Sequence, residues 1–311
     1  MKTLAVYHKQ LGDTLLLQPA LARLARQDGE PVGLIARPGF EDLVRLMPDV
    51  KFTSWRDAPR VRRLLAYDAG DRSAFISLWC RADEKHLLTF SDFYVRFFHR
   101  WIFDRIHLRD QEQMYRARYF WRCTPGGDAE SFEPPRLNAP PDDWLPAELP
   151  SEPYVLIHAT SAWQRKCLSA ECWRPIIERV KDVTGMPVVL TGGTTEWERG
   201  LCASIEEGLD GVTNLGARTS LRGVMAAASK ATVALAVDGF VSHLVSAFGR
   251  PCMTFFGPTN VNHWHLTTPI SRAVFPGIDP GAAKGRRIAD LVPEELPVQV
   301  EDWLKQVAAR A

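Results

Sequence analysis

Seven prolines stand between residues 134 and 153, at 134, 135, 140, 141, 146, 150 and 153, and they constrain the fold of this chain more than any other feature. Proline fixes φ and carries no backbone N–H, so a run this dense resists both helix and sheet interiors. It reads as a linker whose boundary falls near residue 150. The 311 residues then divide into domains of 1–150 and 151–311, each of ordinary size.

Both halves carry the same alternation. Thr3 to Tyr7 is a short apolar strand, followed by a polar turn from His8 to Gly12. Asp13 then precedes Leu15, Leu16 and Leu17, and Leu21 and Leu24 continue an apolar helical face past Pro19, which marks a helix start or a kink. Further strands are expected at Val32–Ala36, Lys51–Trp55 and Ala74–Trp79, with a helix over Phe40–Met47. The second half places strands at Tyr154–His158, Pro187–Thr191, Thr232–Val237 and Cys252–Phe256. Helices fall between them at Ala170–Thr184, Glu196–Gly208 and Ser220–Lys230, and a last helix from Glu294 to Ala309 is expected to pack back on the first domain. Strands alternating with helices specify parallel sheets covered on both faces. The expected fold class is α/β, with two doubly wound, Rossmann-like domains facing a central cleft, because open sheets of this kind bind ligands at the carboxyl ends of their strands.

Composition excludes several functions. The formal net charge is +1, so no global field for nucleic acid exists and a basic patch must be local. The longest clean apolar runs, such as Ala231–Val237, fall far short of a membrane span. The opening Met1–Lys9 is too short an apolar stretch for a signal peptide, and a cytoplasmic location is expected. Six cysteines form no C-x-x-C pair, and the histidines show neither H-x-x-x-H nor H-E-x-x-H spacing, so no metal site is expected.

Four segments carry candidate chemistry. Asp13, after Gly12, suits either a helix cap or a general base. His158 to Lys166 leaves a strand with Thr160 and Ser161 followed by Arg165 and Lys166, a pattern that can bind phosphate or can simply be solvated. Leu190 to Glu196 turns on Gly192-Gly193, and Glu196 can accept bonds from ribose hydroxyls or merely charge a first helical turn. Asp238 to His243 follows an apolar strand and opens a short helix whose free amides suit pyrophosphate, while Phe256 to Thr259 supplies a neighbouring turn. From Phe93 to Arg122 aromatic residues interleave with arginines, among them Arg96 and Arg100; amphipathic helices are expected there. That segment, and a second cluster at Arg56, Arg60, Arg62 and Arg63, can recognise an anionic acceptor, touch an anionic membrane or pack as ordinary surface.

Taken in order, Gly12-Asp13 with Leu15-Leu16 and Pro19-Ala20-Leu21, His158 to Ser161 with Lys166, Glu196, Asp238 to His243, and Phe256 to Thr259 resemble the bacterial lipopolysaccharide heptosyltransferases, glycosyltransferase family 9. The resemblance is strong over 154–260 and clear over 1–25. It implies a GT-B fold and an inverting, metal-independent transfer of heptose from ADP-heptose to a lipopolysaccharide inner-core acceptor, with no cofactor beyond that donor. It makes Asp13 the base, places Lys166, Thr160 and Ser161 on the donor phosphates and Glu196 on the ribose, and gives Asp238 the donor sugar. Gly12, Gly239, Phe240, Val241, His243 and Thr259 complete the donor set. Arg56, Arg60, Arg96 and Arg100 are the candidate contacts for a lipid-linked anionic glycan, with the cytoplasmic face of the inner membrane as a peripheral partner. Bulky Phe240 departs from the family, standing where a glycine permits close backbone approach. Alternatives are another nucleotide sugar, a protein acceptor, or a non-catalytic nucleotide-sugar binder.

Overall fold

The computed structural model describes residues 1–110, 113–128, 131–275, 288 and 296–310. The chain forms two compact units, Met1–Asn138 and a second from Ala139 onward.

The first unit is built on a six-stranded parallel sheet in the order β3-β2-β1-β4-β5-β6. The strands are β1 Thr3–Val6, β2 Val32–Ile35, β3 Val50–Phe52, β4 Val61–Ala66, β5 Ala82–Thr89 and β6 Arg105–Leu108. β1 and β2 are buried along their whole length, as central parallel strands must be, and read as unbroken apolar runs. Helices α1 Leu11–Leu16 and α2 Gln18–Asp28 follow β1, and Pro19 lies in the first turn of α2. A proline there loses no intrahelical bond. α3 Glu41–Leu46 joins β2 to β3; α4 Asp71–Trp79 joins β4 to β5; α5 His99–Ile102 leads into β6; α6 Arg116–Cys123 closes the unit against α1 and α2. Leu4, Val6, Leu64 and Ala66 meet Ala74 and Ile76 of α4 in one core cluster, with Phe98 and Ile102 packed against it.

The second unit repeats the topology. Its sheet has the order β12-β11-β10-β7-β8-β9, which is the first order read from the other edge. The strands are β7 Val155–His158, β8 Val188–Thr191, β9 Val212–Asn214, β10 Val233–Val237, β11 Cys252–Phe255 and β12 Ser271–Val274. Between them run α7 Ala170–Thr184, α8 Glu196–Glu206, α9 Leu221–Lys230, α10 Phe240–Ala247 and α11 Val261–Trp264. α12, Leu296–Ala308, packs on α7, with Val300, Trp303 and Leu304 joining the core of Trp173, Ile176 and Ile177. In both sheets the chain winds outward in one direction, returns beside the first strand and winds outward in the other. Each unit therefore has a switch point, between β1 and β4 in the first and between β7 and β10 in the second.

Several expectations need correction. Ala74–Trp79 is helical rather than extended, because it continues α4, whose buried residues Ser73, Ala74, Ile76 and Ser77 follow helical spacing. The strands of that region are β4 and β5, whose charged openings, Arg62-Arg63 and Asp83-Glu84-Lys85, hide them. The Phe93–Arg122 segment is not helical throughout, for it contains edge strand β6. The division falls after Asn138, inside the proline run rather than near 150. The run is also not a free linker. Arg136 N donates to Gln18 Oε1 (2.9 Å) and Asn138 N to Leu46 O (2.8 Å), while a 3-10 turn at Asp142–Trp144 packs on α9. α12 packs its apolar face on α7; its expected start at Glu294 lies outside the described residues.

Candidate active site

Asp13 occupies the first turn of α1, just beyond the carboxyl end of β1. The N-cap position of α1 belongs to Gln10, and Asp13 is the acidic residue of that first turn. Asp13 stands near the buried Tyr7 phenol. Burial first, then the charge of Asp13, holds that phenol well above its usual range. The loop carrying it is pinned from the other side of the switch point by Asp68, beyond the end of β4. The Asp68 carboxylate accepts from His8 N (3.1 Å), Gly70 N (2.8 Å) and Ser73 Oγ (2.7 Å), and Lys9 Nζ lies 3.9 Å away. Sequence reasoning missed Asp68; its signal was an Asp-Ala-Gly turn, hidden because β4 went unrecognised.

The remaining candidate segments, with the Phe256–Thr259 turn, lie in the second unit at the carboxyl ends of β7, β8, β10 and β11. The parallel register brings three of the named residues into contact. Lys166 Nζ lies 2.8 Å from Asp238 Oδ2, and Thr259 Oγ1 donates to the same oxygen at 2.6 Å. Asp238 is almost fully buried and Lys166 only slightly exposed. A buried carboxylate of this kind is tolerated because it is paired. Lys166 also sits 5.1 Å above the Trp163 ring, with Arg165 at 5.2 Å from the same ring. The indole thereby holds both cations of the loop, and Lys166 is the one that reaches Asp238.

Thr160 and Glu198 form a second knot. The Thr160 hydroxyl donates to Glu198 Oε1 (3.0 Å) and accepts from Gly193 N (2.8 Å). Glu198 in turn closes a capping box with Thr195 at the start of α8. The Thr160 hydroxyl is thus spent inside the protein. Gly193 has no left-handed φ; it is required because the Glu198 carboxylate fills the place of a Cβ. Glu198 was overlooked although the spacing Thr195-x-x-Glu198 announces a capping box. Glu196, two residues earlier, is exposed on the first turn. Ser161 is tied to Cys167, whose sulfur accepts from Ser161 N at 3.1 Å.

Gly239 caps α10 in an extended conformation, φ 177° and ψ −167°, and a Cβ there would meet nothing closer than Val237 O at 3.8 Å. Phe240 is half-buried, Val241 buried, and His243 buried with its pKa driven down to about 4 by desolvation. His158 and His265 are lowered to about 4 for the same reason. All three imidazoles are neutral at pH 7. A cavity of about 730 Å³ opens beside the loop, lined by Trp163, Arg165, Leu168, Glu171, Trp197 and Ser204 among others.

The arginine candidates scatter. Arg60 precedes β4 and binds Asp83 (2.7 Å), at the amino end of the parallel sheet, whereas Asp13 lies at the carboxyl end. Arg63 pairs with Asp28. Arg56 stacks on Trp55 (5.1 Å), Arg96 pairs with Asp71 (3.1 Å), and Arg100 lies exposed on α5. Among the described residues, no three His, Cys, Asp or Glu side chains gather to hold a metal ion.

Residues 133–281 match the model of "Glycosyltransferase family 9 (heptosyltransferase)". Lipopolysaccharide heptosyltransferase 1 of Pseudomonas aeruginosa is 34% identical over 112 residues, which is 36% of this chain and 30% of that protein, well under two thirds of its length. Among solved structures, Escherichia coli ADP-heptose lps heptosyltransferase II superposes with a TM-score of 0.78 at 15% identity, covering 100% of this chain and 99% of that one. The E. coli heptosyltransferase WaaC with ADP gives 0.73 at 18% identity, covering 99% and 100%. At these identities the superpositions establish the fold, a GT-B pair of doubly wound parallel-sheet units. Over residues 133–281, just under half of its length, this chain is similar to glycosyltransferase family 9.

Proposed function

We propose that the chain is a glycosyltransferase of heptosyltransferase type, acting in lipopolysaccharide synthesis. It moves a heptose from ADP-heptose to an anionic inner-core acceptor with inversion and without a metal. The Lys166–Asp238–Thr259 cluster at the β7/β10 switch point carries this reading. It sets a cation and a carboxylate at the carboxyl ends of the strands, beside the first amides of α10, where nucleotide folds hold phosphate. Solved neighbours of this fold are complexes of E. coli heptosyltransferase WaaC with ADP and with ADP-2-deoxy-2-fluoro heptose, which favours that donor.

In this reaction the acceptor hydroxyl oxygen forms a bond to the anomeric carbon while the bond from that carbon to the diphosphate oxygen breaks. Asp13 takes the acceptor proton. The nucleoside diphosphate leaves with both electrons of the broken bond, and Lys166 and the α10 amides stabilise its charge. A diphosphate so neutralised needs no acid to leave, so one base is enough. Attack opposite the leaving group inverts the anomeric centre, as in inverting glycosidases. Asp238 keeps Lys166 in place and offers its second oxygen to the donor sugar; Ser161, Glu196 and His243 surround the nucleotide.

The test is calorimetric titration with ADP-heptose, UDP-glucose and GDP-mannose, followed by a transfer assay on inner-core acceptors. The account expects binding of ADP-heptose and a heptosylated product. Binding without transfer to any acceptor would favour the non-catalytic reading, and preference for another nucleotide would change the donor.

A further inference from the structure

The donor cluster does not account for the cavity of about 730 Å³ in the second unit, since none of Thr160, Ser161, Lys166, Glu196 and Asp238 lines it. Its volume falls within the roughly 300–1,000 Å³ of pockets that hold small ligands. One wall is α8, where Trp197, Leu201 and Ser204 stand at i, i+4 and i+7 and so share a helical face. The other is the loop from Trp163 to Leu168 with the first turn of α7. Both are fixed. Lys166 N donates to Trp163 O (2.8 Å) and Cys167 N to Gln164 O (2.9 Å), while α8 starts on the Thr195–Glu198 capping box and Leu201 packs on the core. Trp197 is half-buried, and its ring meets no other ring and no cation among the described residues. Trp163 is 54% exposed. Arg165 and Glu171 are exposed, and neither forms an ion pair with a described residue. A hydrogen bond from the Ser169 side chain holds the Glu171 carboxyl below its usual range, so it is ionised at pH 7. One cation and one anion leave the lining neutral overall.

We propose that this cavity is a saccharide-binding site, distinct from the donor cluster, that takes a neutral sugar ring. The C–H face of a pyranose carries partial positive charge and stacks on the electron-rich face of an indole, which Trp197 supplies. Hydroxyls on the rim of the ring donate to the Glu171 carboxylate and accept from the Arg165 guanidinium and the Ser204 hydroxyl. Other ligand classes match this lining less well. A nucleotide or phosphate brings its negative charge against Glu171, and a purely apolar ligand strips water from both charged groups without replacing its hydrogen bonds. A neutral ring with apolar faces and a hydroxylated rim satisfies the indole and both charges at once. The site stands whatever nucleotide the donor cluster takes.

The experiment titrates the full chain with the methyl glycosides of mannose, glucose, galactose and L-glycero-D-manno-heptose, followed by saturation-transfer NMR. Wild type is expected to bind at least one of them at millimolar concentration, with saturation strongest on the C–H protons of one ring face. Ser204→Trp fills the cavity from an exposed position of α8 and is expected to abolish binding with an unchanged melting temperature. Glu171→Gln is expected to weaken binding about tenfold, the loss of a charge-assisted bond. ADP is expected not to displace the glycoside. The proposal is overturned if wild type binds none of the glycosides, or if either variant binds them as wild type does. Displacement by ADP, or loss of ADP binding in Ser204→Trp, overturns it as well, because the cavity then belongs to the donor site. Glycoside binding by a chain that ignores ADP removes the donor assignment and leaves this site in place.

Discussion

Single residues in the second unit show how closely binding chemistry and stability are joined. Lys166 neutralises a buried carboxylate, so Lys166→Ala leaves Asp238 charged and unpaired at a cost of about 3–5 kcal/mol. Urea unfolding should report that loss, and Lys166→Met/Asp238→Asn should recover most of it, because the double change removes both charges. A loss below about 1 kcal/mol in the single variant would mean that solvent already screens the pair. Two glycines make a contrasting prediction. Gly193→Ala must displace the Glu198 carboxylate from its bonds to Thr160 and Thr195, costing about 1–3 kcal/mol. Gly239→Ser meets open space at a helix cap in an extended conformation and should stabilise by a few tenths of a kcal/mol. Thermal melts of the two variants should move in opposite directions.

At the scale of elements, three histidines tie the second unit to pH. His158 at the end of β7, His243 in α10 and His265 after α11 have folded pKa values of about 4, against 6.5 for an open chain. Between those values the unfolded chain binds protons that the folded one refuses. Stability is therefore complete above pH 6.5 and falls progressively towards pH 4, by up to about 1.4 kcal/mol per pKa unit for each group. Unfolding measured from pH 7 to 4 should show this fall, and His243→Gln should flatten it. A flat profile would place these rings in solvent. Elements also show what the sequence made legible. Central strands β1, β7, β10 and β11 are apolar on both faces and could be read directly, as could α7, with its apolar spacing ending at Gly185. Edge strands β9 and β12 are short and only partly buried, so no apolar run announces them. The four motif segments were legible because each follows a readable strand. The bonds among them were not, since Lys166 and Asp238 are 72 residues apart and only the sheet order brings them together.

The whole molecule is one topology used twice. Each unit places an aspartate after its fourth strand, Asp68 or Asp238, and that carboxylate grips the loop leaving the first strand, at His8 N in one unit and Lys166 Nζ in the other. The common plan fixes two loops by one device, while the charged groups those loops carry differ: a carboxylate, Asp13, in the first unit and a cationic loop in the second. The proposed reaction draws one group from each, a base for the acceptor and a cation for the leaving diphosphate. The measurement that bears on it most directly compares wild type with Asp13→Asn for ADP-heptose affinity and for the rate of transfer to an inner-core acceptor. The account predicts unchanged donor affinity and a transfer rate lower by about 10²–10⁴-fold. Transfer by Asp13→Asn at the wild-type rate would contradict it.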